Sequence, residues 1–422
     1  MSPKAIAITL YLMPLANGFR RVRGHRTCTE PIAGLRHLAV PLVEIDMTAL
    51  RSNVDPDGLL EYSVVYTDRA LNHMSQSFQE VMTNISSTLR KVYNADAAVV
   101  VPGSGTYGME AVARQFATDK NVLVIRNGWF SYRWTQIFEA GSVPSNETVL
   151  MARQVEDVTQ GQFAPPPIDE VTAAIAEQKP DVVFAPHVET SAGIILPDDY
   201  LKALAEAVHA VDGIFVLDCI ASGTIWIDMA AVGVDVLCSA PQKGWSGPPC
   251  AGLIMLSPRG SSLLAETQSS SFSCDLRKWR DIMAAYENGG HAYHATMPTD
   301  ALRQFSEVMA ETEAYGFERV KADQAELGRR VREVLADRGV VSVAADGFGA
   351  PGVVVCFTAD ADLKNGAKFA AAGVQIAGGV PLQVGERDDY STFRLGLFGL
   401  DKLQNIDRTV ASLEEALDKA LS

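Results

Sequence analysis

Four groups of residues in this sequence have the types and spacing to do chemistry together. Gly103-Ser-Gly-Thr-Tyr-Gly108 fits the spacing G-x-G-x-x-G. After a strand and at the start of a helix, such a turn presents backbone N–H groups and a helix dipole to a phosphate-like anion. Asp218 ends the apolar run Ile214-Phe-Val-Leu, where a carboxylate would stand at the carboxyl end of a strand. Lys243 follows 25 residues later in Ser239-Ala-Pro-Gln-Lys-Gly-Trp245, just before the turn Gly247-Pro248-Pro249. Arg394 lies in Phe393-Arg-Leu-Gly396, beyond the Gly378-Gly379 turn. Its planar fork suits a bidentate grip on a carboxylate, which a lysine point charge would not reproduce.

An amine, a carboxylate and a phosphate cradle are together what pyridoxal 5'-phosphate (PLP) requires. A lysine tethers the aldehyde as an imine, and an aspartate keeps the pyridine nitrogen protonated by charge attraction. The ring can then accept the electrons released at a substrate Cα. Read singly, the same residues leave other assignments open. The glycine turn alone also fits an NADP-dependent dehydrogenase: the acid expected about 20 residues on for a ribose is missing, but Arg126 could meet a 2'-phosphate. It fits equally a turn that packs helix to strand, or a module that merely binds a phosphate ligand. Asp218 alone could be a helix cap, Lys243 a solvated charge and Arg394 a salt-bridged strand residue. As a set they favour PLP.

The elements that must position them can be read from hydrophobic spacing. Residues 75–93 carry Phe78, Val81, Met82, Ile85, Leu89 and Val92 at helical intervals. Ala97–Val101, Val122–Ile125, Val182–Ala185, Ile214–Leu217 and Val234–Cys238 are short unalternating apolar runs, as expected of strands buried on both faces. Helical stretches such as Asp198–Val211 lie between them. This alternation predicts an α/β fold with a mostly parallel sheet, whose ligands gather at the carboxyl ends of the strands. Past Thr299 a long helical tract, Asp300–Arg338, precedes strand candidates at Val340–Val343, Val353–Phe357 and Phe393–Gly396 and an amphipathic helix over Asn405–Leu421. The expected organisation is an extension over 1–40, a large α/β domain over 41–300 and a smaller α+β domain over 301–422.

Composition narrows the class. The chain has 422 residues, 47% apolar and 21% charged, which excludes a disordered polymer. A net charge of -15 argues against nucleic acid as a partner. Residues 1–40 depart from this, with Lys4, Arg20, Arg21, Arg23, Arg26 and Arg36 against Glu30, a local +5 that leaves -20 for the remainder. The apolar stretch 5–16 is shorter than the roughly 20 residues of a membrane span. Its basic cluster follows rather than precedes it, so the segment reads as a variable extension more readily than as a targeting signal. Cys28, Cys219, Cys238, Cys250, Cys274 and Cys356 form no C-x-x-C pair. They are expected as reduced thiols of a cytoplasmic protein, without disulfides or a metal site.

Seven segments in order resemble the class V aminotransferases, above all their alanine:glyoxylate and serine:glyoxylate group. They are Gly103–Thr106, Asn127-Gly-Trp-Phe130, His187-Val-Glu-Thr-Ser-Ala-Gly193, Asp218-Cys-Ile-Ala-Ser222, Gln242-Lys243 with Gly247-Pro-Pro249, Tyr293-His-Ala-Thr296 and Phe393–Gly396. The resemblance implies the fold type I architecture of PLP-dependent transferases. It also implies ping-pong transfer of an amino group from a small amino acid (serine, alanine or aspartate type) to a small 2-oxo acid such as glyoxylate or pyruvate. Lys243 would then be the Schiff-base lysine and general base, and Asp218 the partner of the pyridinium nitrogen. Ser104, Gly105, Thr106 and Gln242 would bind the phosphate, with Tyr293 and Thr296 reaching it across a homodimer of shared sites. Phe130 and Ile220 would cover the two ring faces, Thr190 would bond the 3' oxygen and Arg394 the substrate carboxylate.

There are departures from the family pattern. The usual glycine-rich N-terminal loop is replaced by Asp55-Pro-Asp-Gly-Leu-Leu-Glu-Tyr62, which leaves substrate choice open. Trp245 and Leu397-Phe398 are bulkier than the pattern, as pocket walls or as core. A lyase or desulfurase reaction can run on the same scaffold. Desulfurases of the class carry histidines where this chain has Gln242 and Phe130, which favours transamination.

Overall fold

The structure, a computed structural model, describes residues 54–65 and 68–422. The basic segment 1–40 and Cys28 lie outside them. Leu50–Ser422 groups by its contacts into one compact unit.

At its centre is a seven-stranded sheet: β1 (Ala97–Pro102), β2 (Asn121–Arg126), β3 (Asn146–Met151), β4 (Val182–Pro186), β5 (Ile214–Asp218), β6 (Val236–Ser239) and β7 (Ala251–Leu256). Spatially the order is β1-β7-β6-β5-β4-β2-β3. Neighbours from β6 to β3 pair in parallel, and β7 runs antiparallel to both β1 and β6. All five apolar runs read as strands are strands. β6 starts two residues later than its run because Asp235 turns its carboxylate onto the Phe215 N–H at 2.9 Å. The sequence reading did not single out β3, a half-exposed edge strand, or β7.

Every residue of β4 to β7 is buried, as a sheet covered on both faces requires. The covering helices include α1 (Gln76–Tyr93), α2 (Gly105–Phe116), α3 (Trp129–Gly141), α4 (Ile168–Gln178) and α5 (Asp198–Ala210). Ser75 caps α1 by accepting the Phe78 N–H, and Phe78, Met82, Ile85 and Leu89 are sealed beneath it. α2 lies unusually close to β7, since a Cβ on Gly252 would stand 2.6 Å from the Gly108 Cα. That contact fixes the height of the α2 N-terminus above the sheet.

The tract expected as one helix is two, Thr299–Tyr315 and Phe317–Ala336, broken at Gly316, whose φ of +105° a side chain resists. The predicted strand Val340–Val343 does not form. Val340 spends its N–H on Leu335 at the helix end, and the following residues meet the strand at Val353–Phe357 only through a single bridge, Ser342 to Cys356, before Val343 gives its carbonyl to the Phe163 N–H. Strands β8 (Val353–Phe357), β9 (Ala377–Gly378) and β10 (Thr392–Gly396) form an antiparallel sheet in the order β8-β10-β9. The amphipathic C-terminal helix spans Ile406–Leu421. Among the described residues no helix is long and apolar enough to cross a membrane. Cys219, Cys238, Cys250, Cys274 and Cys356 are buried and free.

Candidate active site

The parallel register brings three strand ends level. Asp218 pairs with Cys238 of β6 on one side and Pro186 of β4 on the other. The chain leaving β4 returns a bond at once, His187 N–H to the Asp218 carbonyl at 2.8 Å. Lys243 follows β6, Glu189 follows β4, Phe130 follows β2 and Ser104 follows β1. All of them therefore rise from the carboxyl edge of one sheet, the edge at which such folds bind ligands.

Asp218 is buried and makes no ion pair among the described residues. Its Oδ1 accepts the Ile220 N–H at 2.9 Å. Burial pushes its carboxyl up to about 6, with Glu189 adding to the rise and Arg133 and Lys243 opposing it. A buried acid held this way is stabilised by a cation brought against it. Burial also lowers the Lys243 ammonium below the ordinary lysine value; the Arg394 and Arg133 charges push the same way, and Asp218 and Glu189 oppose them. An amine lowered in this manner is unprotonated more often at neutral pH, and so more available as nucleophile and base. Arg394 projects from β10, its Nε anchored to the Gly378 carbonyl at 2.8 Å, and its guanidinium lies 5.6 Å from the centre of the Phe130 ring.

At the α2 N-terminus, Ser104 holds the N-cap position but makes no capping bond with its side chain. Its hydroxyl and the first helical N–H groups are thus uncommitted. Gly105 is pressed against Ile220, whose Cδ1 would lie 2.8 Å from an added Cβ. Thr106 Oγ1 accepts from Arg133 Nη1 at 3.2 Å, and the Arg133 guanidinium sits 5.4 Å from the Phe130 ring centre. Gln242 keeps a buried Oε1 that meets no donor. Turning that amide over presents Nε2 instead, a donor for an anion.

Phe130 is fixed by a residue to which the sequence reading gave no role. Glu189, fully buried, accepts the N–H groups of Phe130 and Ser131 at 3.1 and 2.9 Å, and the Ser131 and Ser191 hydroxyls at 2.7 Å each. Ser191 Oγ in turn accepts the Trp129 N–H at 2.9 Å. The first turn of α3 is thereby capped by another loop, with a carboxylate at the positive end of the helix. Gly128 permits the approach, since a Cβ there would stand 2.2 Å from Ser191 Oγ. Arg133, also missed, was detectable as the cation one helical turn after Phe130. His187, inside the same motif, is buried, bonded through Nδ1 to Ser222 Oγ at 2.7 Å and pushed down to about 3 by burial.

Asp218, Lys243, Phe130, Ile220, Gln242 and the Ser104–Thr106 turn therefore share one edge of the sheet, with half-buried Thr190 in the Glu189 loop, and Arg394 meets Phe130 there from β10 of the small sheet. Tyr293 and Thr296 are exposed and bonded to each other at 3.3 Å, and Thr296 lines a shallow hollow with Gly103 and Pro249. Arg126 is buried away from the glycine turn, donating to Thr135 Oγ1 at 2.7 Å, so it is not placed for a 2'-phosphate. Trp245 is core, its ring 4.6 Å from that of Trp226 and also against Phe305 and Phe317. A cavity of about 790 Å³ between Lys91, Trp226 and Phe317 contains none of the site residues. The Asp55–Glu61 stretch lines another, of about 570 Å³, also without them. The site is identified by its chemistry rather than by its volume.

The sequence profile described as Aminotransferase class-V matches residues 58–379. The chain belongs to the class V aminotransferases. Alanine–glyoxylate aminotransferase 1 of Saccharomyces cerevisiae is 25% identical over 346 residues, covering 75% of this chain and 84% of the yeast protein. Two solved structures share the fold. An alanine–glyoxylate aminotransferase from Nostoc sp. superposes with a TM-score of 0.69 at 21% identity, over 82% of this chain and 89% of its own. A ureidoglycine–glyoxylate aminotransferase from Bacillus subtilis gives 0.70 at 22%, over 84% and 88%. The expected α/β architecture with a mostly parallel sheet is that of this class V aminotransferase. An uncommitted helix N-terminus, a buried acid without an ionic partner, a lowered lysine and an arginine beside an aromatic plate make a donor set that fits PLP.

Proposed function

We propose that this chain is a PLP-dependent aminotransferase that moves an amino group from a small amino acid, of the serine, alanine or aspartate type, to a small 2-oxo acid such as glyoxylate or pyruvate. The observation that carries this reading is the meeting of Lys243, Asp218 and Arg394 at one end of the sheet, with the open N-terminus of α2 alongside. When bound, PLP supplies an electron sink for the pair released at the substrate Cα.

In this reading Lys243 would hold PLP through its Nζ and, when its amine is free, would accept the proton from the substrate Cα, a role that an ammonium lowered toward neutral pH suits. Asp218 holds a proton on the ring nitrogen. Phe130 and Ile220 cover the ring faces, Thr190 bonds the 3' oxygen, and Ser104, Gly105, Thr106 and Gln242 hold the phosphate. Arg394 orients the substrate by its α-carboxylate. Each half-reaction uses the same groups in opposite directions, so the kinetics are ping-pong.

Further parts of the reading rest on the family resemblance. Tyr293 and Thr296 serve a neighbouring subunit in a homodimer, in keeping with the exposure of Tyr107, Phe272 and Tyr293. The functional division lies near residue 300, and the protein works in the cytoplasm. A colour test checks the chemistry. Purified protein should be yellow, bleach on addition of a donor amino acid and recover with a 2-oxo acid. A colourless protein whose fluorescence answers to reduced NADP would contradict it.

A further inference from the structure

An aromatic ring stands over the Lys243 ammonium. Lys243 Nζ lies 5.1 Å from the centre of the Phe398 ring, within cation–π range. Phe398 follows β10, four residues after Arg394, and is half-buried. Two glycines clear the space it fills: its ring carbons would lie 3.4 Å from a Cβ on Gly223 and 3.1 Å from one on Gly352. Gly223 belongs to the loop after β5 and Gly352 directly precedes β8. The ring is thus held between the loop that follows Asp218 and the small antiparallel sheet, facing the lysine.

We propose that Phe398 is a positioning residue for Lys243, its ring face holding the free ammonium in place beside Asp218 whenever the amine is not in covalent use. This rests on the reading of Lys243 as the reactive amine but adds a residue to it. Asp218 and Glu189 attract the ammonium, while Arg394 and Arg133 repel it. The ring adds a favourable contact to these charges, and in a desolvated setting that contact favours the charged form. The bulk of Phe398, which exceeds the family pattern, then has a purpose at the site, whereas Trp245, equally bulky, is consumed by the core.

The test reads the amine itself. Cofactor-stripped full-length protein is labelled with trinitrobenzenesulfonate across a pH series, and the rate at Lys243 is followed by peptide mass mapping. Phe398→Leu, which keeps an apolar wall but no π face, should lower the apparent pKa of Lys243 by about half a unit to one and a half units. Phe398→Tyr should restore the native titration. Phe398→Met keeps the volume without a ring and serves the same comparison where the leucine variant does not fold. If the leucine or methionine variant titrates as the native protein does, or the tyrosine variant shifts as far as they do, the positioning role is overturned. Because the label reports on Lys243 with no cofactor present, this outcome is separate from whether PLP binds there. That second question is read by the colour of the unstripped protein.

Discussion

Glu189 lies in the loop after β4 and Phe130 in the first turn of α3, just beyond β2, and the Glu189 carboxylate accepts the Phe130 N–H at 3.1 Å. The bond ties the aromatic plate to the strand beside Asp218, so ring and acid hold a fixed relation through the backbone. Removing the carboxylate would leave several donors buried at the start of α3. Glu189→Ala is therefore expected to lose about 3 kcal/mol of stability in urea titration, since each orphaned donor costs roughly 1–3 kcal/mol. Glu189→Gln, which keeps an acceptor oxygen, should lose less. Equal losses in the two variants would mean that the bonds do not hold the loop.

Arg394 presents its Nη groups to the space beside Phe130 because its Nε is held by Gly378. Arg394→Ala should raise KM for amino acid donors by about a hundredfold, the scale of a lost charged, forked contact. Amines without a carboxylate should be unaffected. Arg394→Lys should recover only part of the loss, because a point charge does not reproduce the fork. Steady-state kinetics on matched substrates checks all three statements.

Gly244 adjoins Lys243 in a turn where an added Cβ would lie 1.9 Å from the Gly223 carbonyl oxygen. Backbone must move to relieve that clash. Gly244→Ala is expected to displace Lys243 and cut turnover at least tenfold, with a stability loss of about 1–3 kcal/mol. Turnover and thermal melting measured on the same preparation test this. A fully active variant would show that the lysine does not need this turn.

His187 stays neutral in the fold, its ring pushed down to about 3 by burial. The unfolded chain takes a proton near 6.5, so the stability His187 permits is complete above that pH and is lost as pH falls toward 3. Asp218 acts in the opposite sense: its raised carboxyl favours the fold as pH drops from about 6 toward 3.8. Native protein and His187→Gln, which removes one titration and leaves the other, are therefore to be compared. Between pH 7 and pH 5 the variant should lose about 2 kcal/mol less than the native chain. Parallel melting curves at the two pH values would contradict the buried neutral histidine.

What the sequence disclosed follows from the range of each interaction. The buried strands were legible because a sheet covered on both faces needs unbroken apolar runs, and β4 and β5 have them. Asp218, Lys243 and the glycine turn stood out because a single chemistry would use all three, and the parallel strands bring them to one edge. Glu189 was not, since its partners lie 58 and 59 residues away along the chain and only folding brings the loops together. Arg133 meets Phe130, and Phe398, already notable for its bulk, meets Lys243, through rings and cations whose approach depends on side-chain direction. The failed strand at Val340–Val343 shows the same limit in reverse. Its residues have strand propensity, but their bonds are claimed by a helix end and by two different partners.

The central claim is that Lys243 carries the cofactor. Borohydride reduction of the yellow protein, followed by proteolysis and peptide mass mapping, should find a single pyridoxyl-phosphate adduct on the peptide containing Lys243, and none in Lys243→Ala. An adduct on another lysine, or none in cofactor-saturated protein, would contradict the account.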